Sequence, residues 1–501
     1  MRISLLILDK VKIAKNASAL VAAQVVARAL GIIYVAALAR YVGARGIGAI
    51  STATALNGLL VLLAAPGFTT LLVRDVAAEP GKAASYIANM LFTRGLLGIP
   101  FALSVVAAAH FAGYASETVA IIYVYLVVYL LDSLSGILAA AFQAFERMEF
   151  DAASQIVQTV VNVSLSLLAI YLRWSLFVIV FMSLIAQLCR LLCLALLLRG
   201  RMRSGFAINL NASKQLFIAS FPFGALLVLF AMKAQLGIFV LSLRQSESAV
   251  GIYSAANAII GVVLLVPSAL SSAAFPAFSR FAAHSRPDLQ NFYQLCFKYL
   301  LLLGFPLGLG LILVADKVIL LVYGDKFEHS VAILRILSVF LFTMVGYSNG
   351  PTLKAIGRQR FLLWTEGLAV FANGALCLWL APIWGPIGAA VAFVIAGIGT
   401  FVVHSFACHT FLGLSFPLLT TSKILLATLF MGLVVAASRQ LGAPWLVTTF
   451  ILAPLAYGLA LWLLGIVKRS ELLILAGAPI SRLTANAGNT SVTTAERETV
   501  A

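Results

Sequence analysis

The stretch AAQVVARALGIIYVAALARYVG, residues 22–43, is apolar and long enough to cross a bilayer as one helix. It carries Arg28 near its middle. A charge at the centre of a bilayer costs about 2.5–3.5 kcal/mol on insertion scales, and such residues usually face a helix bundle interior or a wet cavity. The stretch therefore predicts a transmembrane helix whose arginine has a function.

The composition extends this prediction to the whole chain. Of 501 residues, 62% are hydrophobic and only 10% are charged, and the mean hydropathy is +1.06. Apolar runs long enough to span a bilayer recur along the sequence, whereas the short alternating segments of a β-barrel are not found. We therefore expect an all-α polytopic membrane protein.

Hydropathy predicts about fourteen transmembrane helices joined by short connections. They lie near 16–39, 49–71, 84–110, 118–142, 153–172, 175–198, 215–243, 250–278, 292–314, 331–353, 361–381, 384–411, 417–438 and 445–467. The connections on the same side of the membrane as the N-terminus hold about three times as many Lys and Arg residues as those on the opposite side. This distribution predicts that both termini lie in the cytoplasm. This bias explains most of the net charge of +17 without a nucleic-acid partner, and indicates a multi-pass protein of the cytoplasmic (inner) membrane.

Two pairs of similar short segments indicate an internal repeat. GAISTATA at 48–55 matches GIYSAANA at 251–258 in four positions, and AFERMEF at 144–150 resembles AIGRQRF at 355–361. Both copies begin on the same side, so the repeat is parallel, and transporters built in this way place the substrate path between the halves. The predicted domains are an N-terminal six-helix lobe (1–205), a C-terminal six-helix lobe (206–412), two additional helices (413–468) and a cytoplasmic tail (469–501).

Three of these segments also carry a family resemblance. LARYVGARGIGAISTA (38–53), FQAFERME (142–149) and LKAIGRQRF (353–361) resemble the multidrug/oligosaccharidyl-lipid/polysaccharide exporter superfamily. Fourteen spans resemble its polysaccharide transporter and lipid II flippase branches more than its twelve-span drug exporters. Of these, the chain resembles the polysaccharide transporter, or O-antigen flippase, branch. The resemblance implies two lobes in a V around a cavity that opens alternately to each side.

The same resemblance implies the cargo and the partners. The cargo would be an isoprenoid-pyrophosphate-linked, anionic oligosaccharide used in polysaccharide biosynthesis. Membrane lipids, a polysaccharide polymerase and glycosyltransferases would be its partners. No cofactor, metal or enzymatic activity is expected, and GKAAS at 81–85 lacks the residues of a nucleotide-binding P-loop.

Three cations are candidates to line the cavity. Arg28, Arg94 and Lys233 lie near the middle of predicted spans. Arg28 and Lys233 precede the matching glycines, Gly48 and Gly251, by nearly the same number of residues, so the repeat would place both at one cavity. A pyrophosphate needs several donors, and a guanidinium can hold it in a bidentate manner while a lysine acts as a point charge.

Other charged residues within spans have more than one interpretation. Asp132 is either the partner of Arg28 in a buried ion pair or a carboxylate that couples an ion. Arg190 can extend towards the cytoplasmic interface, and Lys233 can do so as well if its helix is shifted. Glu366 lies near the start of its span, so we expect it at the interface.

Functions other than polysaccharide flipping remain open at this point. A lipid II flippase and a cation-coupled multidrug antiporter of the same fold are the alternatives, and a membrane glycosyltransferase or polymerase would need acidic metal ligands or a larger outer loop. Exporters of cationic drugs need carboxylates within the membrane, whereas the deep charges here are mostly basic. That sign favours an anionic cargo.

Overall fold

The computed structural model describes residues 2–64, 67–199, 208–414, 417–440 and 444–466, and in the first helix it describes side chains from Leu30 onward. Every regular element in these ranges is helical. The α-helices are α1 Arg2–Ala64, α2 Phe68–Ala78, α3 Ala83–Phe111, α4 Ser116–Ala144, α5 Met148–Tyr171, α6 Leu176–Arg199, α7 Leu210–Arg244, α8 Glu247–Val263, α9 Leu265–His284, α10 Arg286–Tyr323, α11 Ser330–Val339, α12 Asn349–Ala355, α13 Gln359–Trp384, α14 Pro386–Leu412, α15 Leu418–Gln440, α16 Trp445–Val447 and α17 Ala453–Leu463.

Where the structure describes them, the fourteen predicted spans fall largely on helical residues. By length and hydropathy, the described part of the chain contains 12 candidate membrane spans. This count is lower because Leu30–Val61 is one candidate that contains parts of two predicted spans, and because α7 is not among the candidates. The composition-based prediction of a polytopic helical membrane protein is therefore confirmed, while the division into two lobes stays a prediction.

The first two predicted spans are joined by a single residue. Gly43 adopts φ 68° and ψ −172° within α1, and helical residues flank it on both sides. A positive φ is strained for residues with a Cβ atom but not for glycine, so this position can interrupt the helix. The predicted connection of about nine residues is wrong, because the helix resumes directly after the glycine. We call the side of the bundle that carries this break the Gly43 end.

Close to the Gly43 end, the repeat-matched glycines contact each other. A Cβ atom added to Gly48 would lie 1.7 Å from the carbonyl oxygen of Glu247 and 3.1 Å from the nitrogen of Gly251. A Cβ atom added to Gly251 would lie 1.9 Å from the carbonyl oxygen of Ala44 and 2.9 Å from the nitrogen of Gly48. The contact is reciprocal, as expected where a two-fold pseudo-axis passes between two matched helices, and only residues without a side chain allow it.

Polar contacts surround this glycine pair. Arg45 Nε donates to Glu247 Oε2 at 2.9 Å, and the Thr118 hydroxyl donates to the other oxygen of the same carboxylate. Arg40 Nη2 donates to the carbonyl oxygen of Leu321 at 2.6 Å. Each of these contacts joins a residue before 205 to one after 206, so the two predicted lobes are held together at the Gly43 end.

Several predicted spans are divided between elements. The span at 49–71 falls on the end of α1, which ends at Ala64, and on α2, which begins at Phe68. The span at 250–278 divides into α8 and α9 at Leu264, because Pro267 has no N–H to bond the carbonyl of residue 263. The span at 331–353 contains a 3₁₀-helix, Phe340–Ser348, between α11 and α12. Runs of 3₁₀-helix longer than three or four residues are uncommon, and within a helix they often mark a functional hinge.

The additional helices pack on the outside of α10. Met431, Val435 and Ala453 form a small buried cluster with Leu309 and Leu313 of that helix. The remaining faces of α15 and α17 expose large apolar side chains, among them Leu433 and Leu455. Exposed apolar faces of this kind are suited to contact with lipid.

Candidate functional site

Among the described residues, five charged side chains of the long helices form two separate clusters. One joins Asp132, Arg190 and Asp151 across α4, α5 and α6, and the other joins Lys233 and Glu366 across α7 and α13. The backbone of Arg28 lies in α1, but its side chain falls outside the described residues. Its expected position opposite Lys233 therefore stays a prediction.

In the first cluster, Arg190 bridges two carboxylates. Its Nη1 donates to Asp132 Oδ1 at 3.0 Å, and its Nη2 lies 3.5 Å from Asp151 Oδ1. The side chains are 13% exposed for Arg190, 53% for Asp132 and 4% for Asp151. Asp132 thus pairs with Arg190, a partner that the sequence analysis did not consider, and Arg190 is held by carboxylates within the bundle instead of extending freely to the interface.

Hydrogen bonds complete the surroundings of the buried carboxylate. Asp151 accepts bonds of 3.1 Å from the amides of Gln143 and Gln155, one on each carboxylate oxygen. A buried charge that is paired and fully hydrogen-bonded is tolerated, whereas one left unpaired strongly destabilises a protein. Only Asp132 of this cluster is well exposed, so it is the carboxylate that can meet a ligand.

Arg94 lies on α3 near this cluster. Its guanidinium carbon is 5.7 Å from the centre of the Phe68 ring, and its charge interacts favourably with that of Asp132. A cation over an aromatic face is stabilised by the ring quadrupole. Both contacts favour the guanidinium cation, which is the form that can bind an anion.

The second cluster faces a cavity of about 600 Å³. Lys233 Nζ lies 3.5 Å from Glu366 Oε2 and donates to Thr400 Oγ1 at 3.3 Å. His404, one turn further along α14, shares a 2.8 Å hydrogen bond with Thr365. The cavity is also lined by polar and aromatic residues from α8, α9, the 3₁₀-helix and α12, among them Asn257, Ser268, Ser272, Tyr347 and Lys354.

The structure changes the interpretation of Glu366. We expected this residue at the membrane interface, but its side chain is only 6% exposed and it lines the cavity beside Lys233. The first turns of α13 pack against α7 and α14, so a residue two turns into the helix is already surrounded by protein. The alternative in which Lys233 extends to an interface does not describe this structure, since its ammonium group lies 3.5 Å from the Glu366 carboxylate inside the bundle.

Sequence reasoning overlooked three residues of these clusters. Lys354 was assigned to a connection, but α12 continues to Ala355 and the lysine lines the cavity, with Nζ 5.9 Å from the centre of the Phe230 ring. Asp151 was placed before its span, but α5 begins at Met148. His404, which lines the cavity, is not among the site residues predicted from the sequence. A search for polar residues within one turn of every span boundary would have found the first two.

The cavity offers ionic and hydrogen-bonding contacts to a bound molecule. The cavity brings two ammonium groups, Lys233 and Lys354, together with one carboxylate, Glu366. Arg94 adds a guanidinium in the other half of the bundle. Cations of this kind form charge-assisted hydrogen bonds with phosphate oxygens. The arrangement suits an anion that is recognised by several donors.

Comparisons with known proteins agree with this fold. Residues 13–282 match the family described as "Polysaccharide biosynthesis protein". The chain is 27% identical over 184 residues to the teichuronic acid biosynthesis protein TuaB of Bacillus subtilis, a match that covers 35% of this chain and 38% of TuaB. It is 23% identical over 206 residues to Agl15 of Haloferax volcanii, a probable low-salt glycan biosynthesis flippase, covering 40% of this chain and 43% of Agl15.

The chain therefore spans less than half the length of these two relatives. A solved structure of the lipid II flippase MurJ in an inward closed conformation covers more. It superposes with a TM-score of 0.73 at 15% identity, over 88% of this chain and 97% of that one. At this identity the likeness concerns the fold, and it extends over most of the helices described above.

Proposed function

The chain belongs to the polysaccharide biosynthesis protein family, and from this we propose that it is a flippase for a polyprenyl-pyrophosphate-linked oligosaccharide. It moves this cargo across the cytoplasmic membrane by alternating access, as a transporter and not as an enzyme. The relatives support the proposal, since one takes part in teichuronic acid biosynthesis and another is a probable glycan biosynthesis flippase.

The observation that carries the proposal is the sign of the charges that face open space inside the bundle. Lys233 and Lys354 line the cavity with Glu366 as the one carboxylate, and Arg94 lies in the other half. A pyrophosphate headgroup would satisfy these cations. Moving one negative charge outward across an inside-negative membrane is favourable by about 2.3 kcal/mol per 100 mV, which helps to drive export.

The orientation of the chain gives the contact at the Gly43 end its role. We place both termini in the cytoplasm on the basis of the Lys and Arg distribution, so the Gly43 end faces outward. The glycine pair and the Arg45–Glu247 ion pair then close the outer side. A cycle of alternating access breaks these contacts to release the cargo and forms them again afterwards.

Two alternatives of the same fold differ in cargo. A lipid II flippase would carry a peptidoglycan precursor and is favoured by the likeness to MurJ. A cation-coupled multidrug antiporter would need carboxylates facing its cargo, and among Asp132, Asp151 and Glu366 only Asp132 is strongly exposed. The matched family favours the polysaccharide cargo.

We expect the substitution Arg28→Ala to abolish glycan export while the protein still inserts into the membrane. The reason is that a cavity cation lost from the first span leaves the pyrophosphate with too few donors. In the host deleted for the gene, surface glycan is measured after expression of the wild-type chain or the variant, and the lipid-linked intermediate that accumulates is identified by mass spectrometry.

Arg335→Ala is the matched control, because Arg335 is an exposed arginine on α11. It should restore export as the wild type does. Normal surface glycan with Arg28→Ala would overturn the role of this cation. Accumulation of lipid II, or of no lipid-linked saccharide at all, would overturn the proposed cargo in favour of one of the alternatives.

A further inference from the structure

We propose that Glu366 is a built-in counter-ion for Lys233 that the anionic headgroup of the cargo displaces on binding. This inference rests on the proposed function, which supplies the anion, and it assigns a role to a carboxylate that the cargo itself would repel. Glu366 is a specificity-determining residue in this view, since it sets which charges can occupy the cavity.

The burial of the pair is the first reason. The side chains of Lys233 and Glu366 are 15% and 6% exposed and come from different helices. A buried ammonium group without a partner strongly destabilises a protein, so an empty cavity needs an internal anion beside Lys233. Glu366 meets that need in the structure as it stands.

The geometry is the second reason, because the pair is loose. The distance between Lys233 Nζ and Glu366 Oε2 is 3.5 Å, whereas charge-assisted N–H···O bonds are normally about 2.7–2.9 Å long. The bond from Lys233 to Thr400 is also long, at 3.3 Å. A single long contact does not hold an ammonium group as firmly as the bidentate pairs of structural ion bridges do.

Access is the third reason. Lys233, Glu366 and Thr400 all line the same cavity, so an anion that enters it reaches the ammonium group without unfolding a helix. The cavity is also lined by Lys354, which can form an ion pair with Glu366 when Lys233 binds the headgroup. An uncharged or cationic molecule has no negative charge to replace the carboxylate beside Lys233, so the Lys233–Glu366 pair stays formed.

Binding of farnesyl pyrophosphate to the purified full chain in detergent tests the proposal. We expect Glu366→Gln to lower the Kd about tenfold, the gain that follows when a competing state holding about nine tenths of the population is removed. Lys233→Met should weaken binding, and Glu366→Gln should give no comparable gain in the Lys233→Met background, because the competition no longer exists.

Two controls separate charge from folding. Glu366→Asp keeps the negative charge and should not tighten binding, and Glu328→Gln removes an exposed carboxylate near the Gly43 end and should leave the Kd unchanged. Thermal unfolding in the same detergent shows that each variant is folded. The counter-ion role of Glu366 is contradicted if Glu366→Gln binds farnesyl pyrophosphate as the wild type does or more weakly. It is also contradicted if Glu366→Gln tightens binding equally in the Lys233→Met background. Failure of the folded wild-type chain to bind farnesyl pyrophosphate would instead contradict the proposed function.

Discussion

Gly251→Ala is expected to keep the Gly43 end of the bundle open and to reduce glycan export by about tenfold or more, the effect of a 1.4 kcal/mol shift between states. The added methyl group would lie 1.9 Å from the carbonyl oxygen of Ala44, and no flexible side chain can move away to make room. Alanine is a better helix former than glycine by about 1 kcal/mol, so helix propensity predicts the opposite sign.

The rate of thiol labelling measures this opening. Ser254 is buried one turn beyond Gly251 on α8, and Ser254→Cys gives a reporter in a background without the five native cysteines. A membrane-impermeant maleimide added to intact cells should react slowly with the otherwise wild-type protein and about tenfold faster when Gly251→Ala is added. Labelling from the outside also tests whether the Gly43 end faces outward.

Gly261→Ala provides the matched control for labelling. It lies on the same helix, and a Cβ atom there would have no neighbour within 4 Å. It should leave the labelling rate unchanged. Because the contact is reciprocal, Gly48→Ala should open the same end, and combining it with Gly251→Ala should add little. If Gly48→Ala and Gly251→Ala are both labelled at the wild-type rate, the glycine contact does not close this end.

Arg190→Met is expected to destabilise the protein by about 3–5 kcal/mol, the usual effect of removing one partner from a buried ion pair. The substitution leaves Asp151 without its cation in a position where its side chain is only 4% exposed. Methionine fills a similar volume, so loss of packing is small. Thermal unfolding in detergent should therefore show a strongly lowered midpoint.

Adding Asp151→Asn to Arg190→Met should recover much of the stability, because the uncompensated charge is then gone. The exposed pair of Lys82 and Glu79 is the control, and Lys82→Met should change stability by no more than about 1 kcal/mol. Equal midpoints for Arg190→Met and Lys82→Met would show that the bridging arginine is not required for folding.

Features that depend on local periodicity could be predicted from the sequence. The described parts of the fourteen predicted spans fall largely on helices, because the thickness of a bilayer sets the length of apolar runs. Gly48 and Gly251 were matched by a short repeat, and the structure brings them into backbone contact. A glycine shared by two copies is informative because few other residues can take its place.

The pairing of charges could not be predicted in this way. Lys233 and Glu366 are separated by 133 residues, and Asp132 and Arg190 by 58. Hydropathy gives the depth of a residue in the membrane but not the direction in which its helix face points, so it does not predict the contact between Asp132 and Arg190. The role of Arg28 stays a prediction for the same reason.

The 3₁₀-helix at Phe340–Ser348 decides which side of α12 meets the cavity. A 3₁₀-helix turns about 120° per residue and an α-helix about 100°, so nine residues accumulate a difference of about half a turn. With ordinary α-helical winding through this span, Lys354 would lie on the opposite face of α12, away from the cavity. The angular phase of one tightly wound segment thus fixes the charge that the cavity presents.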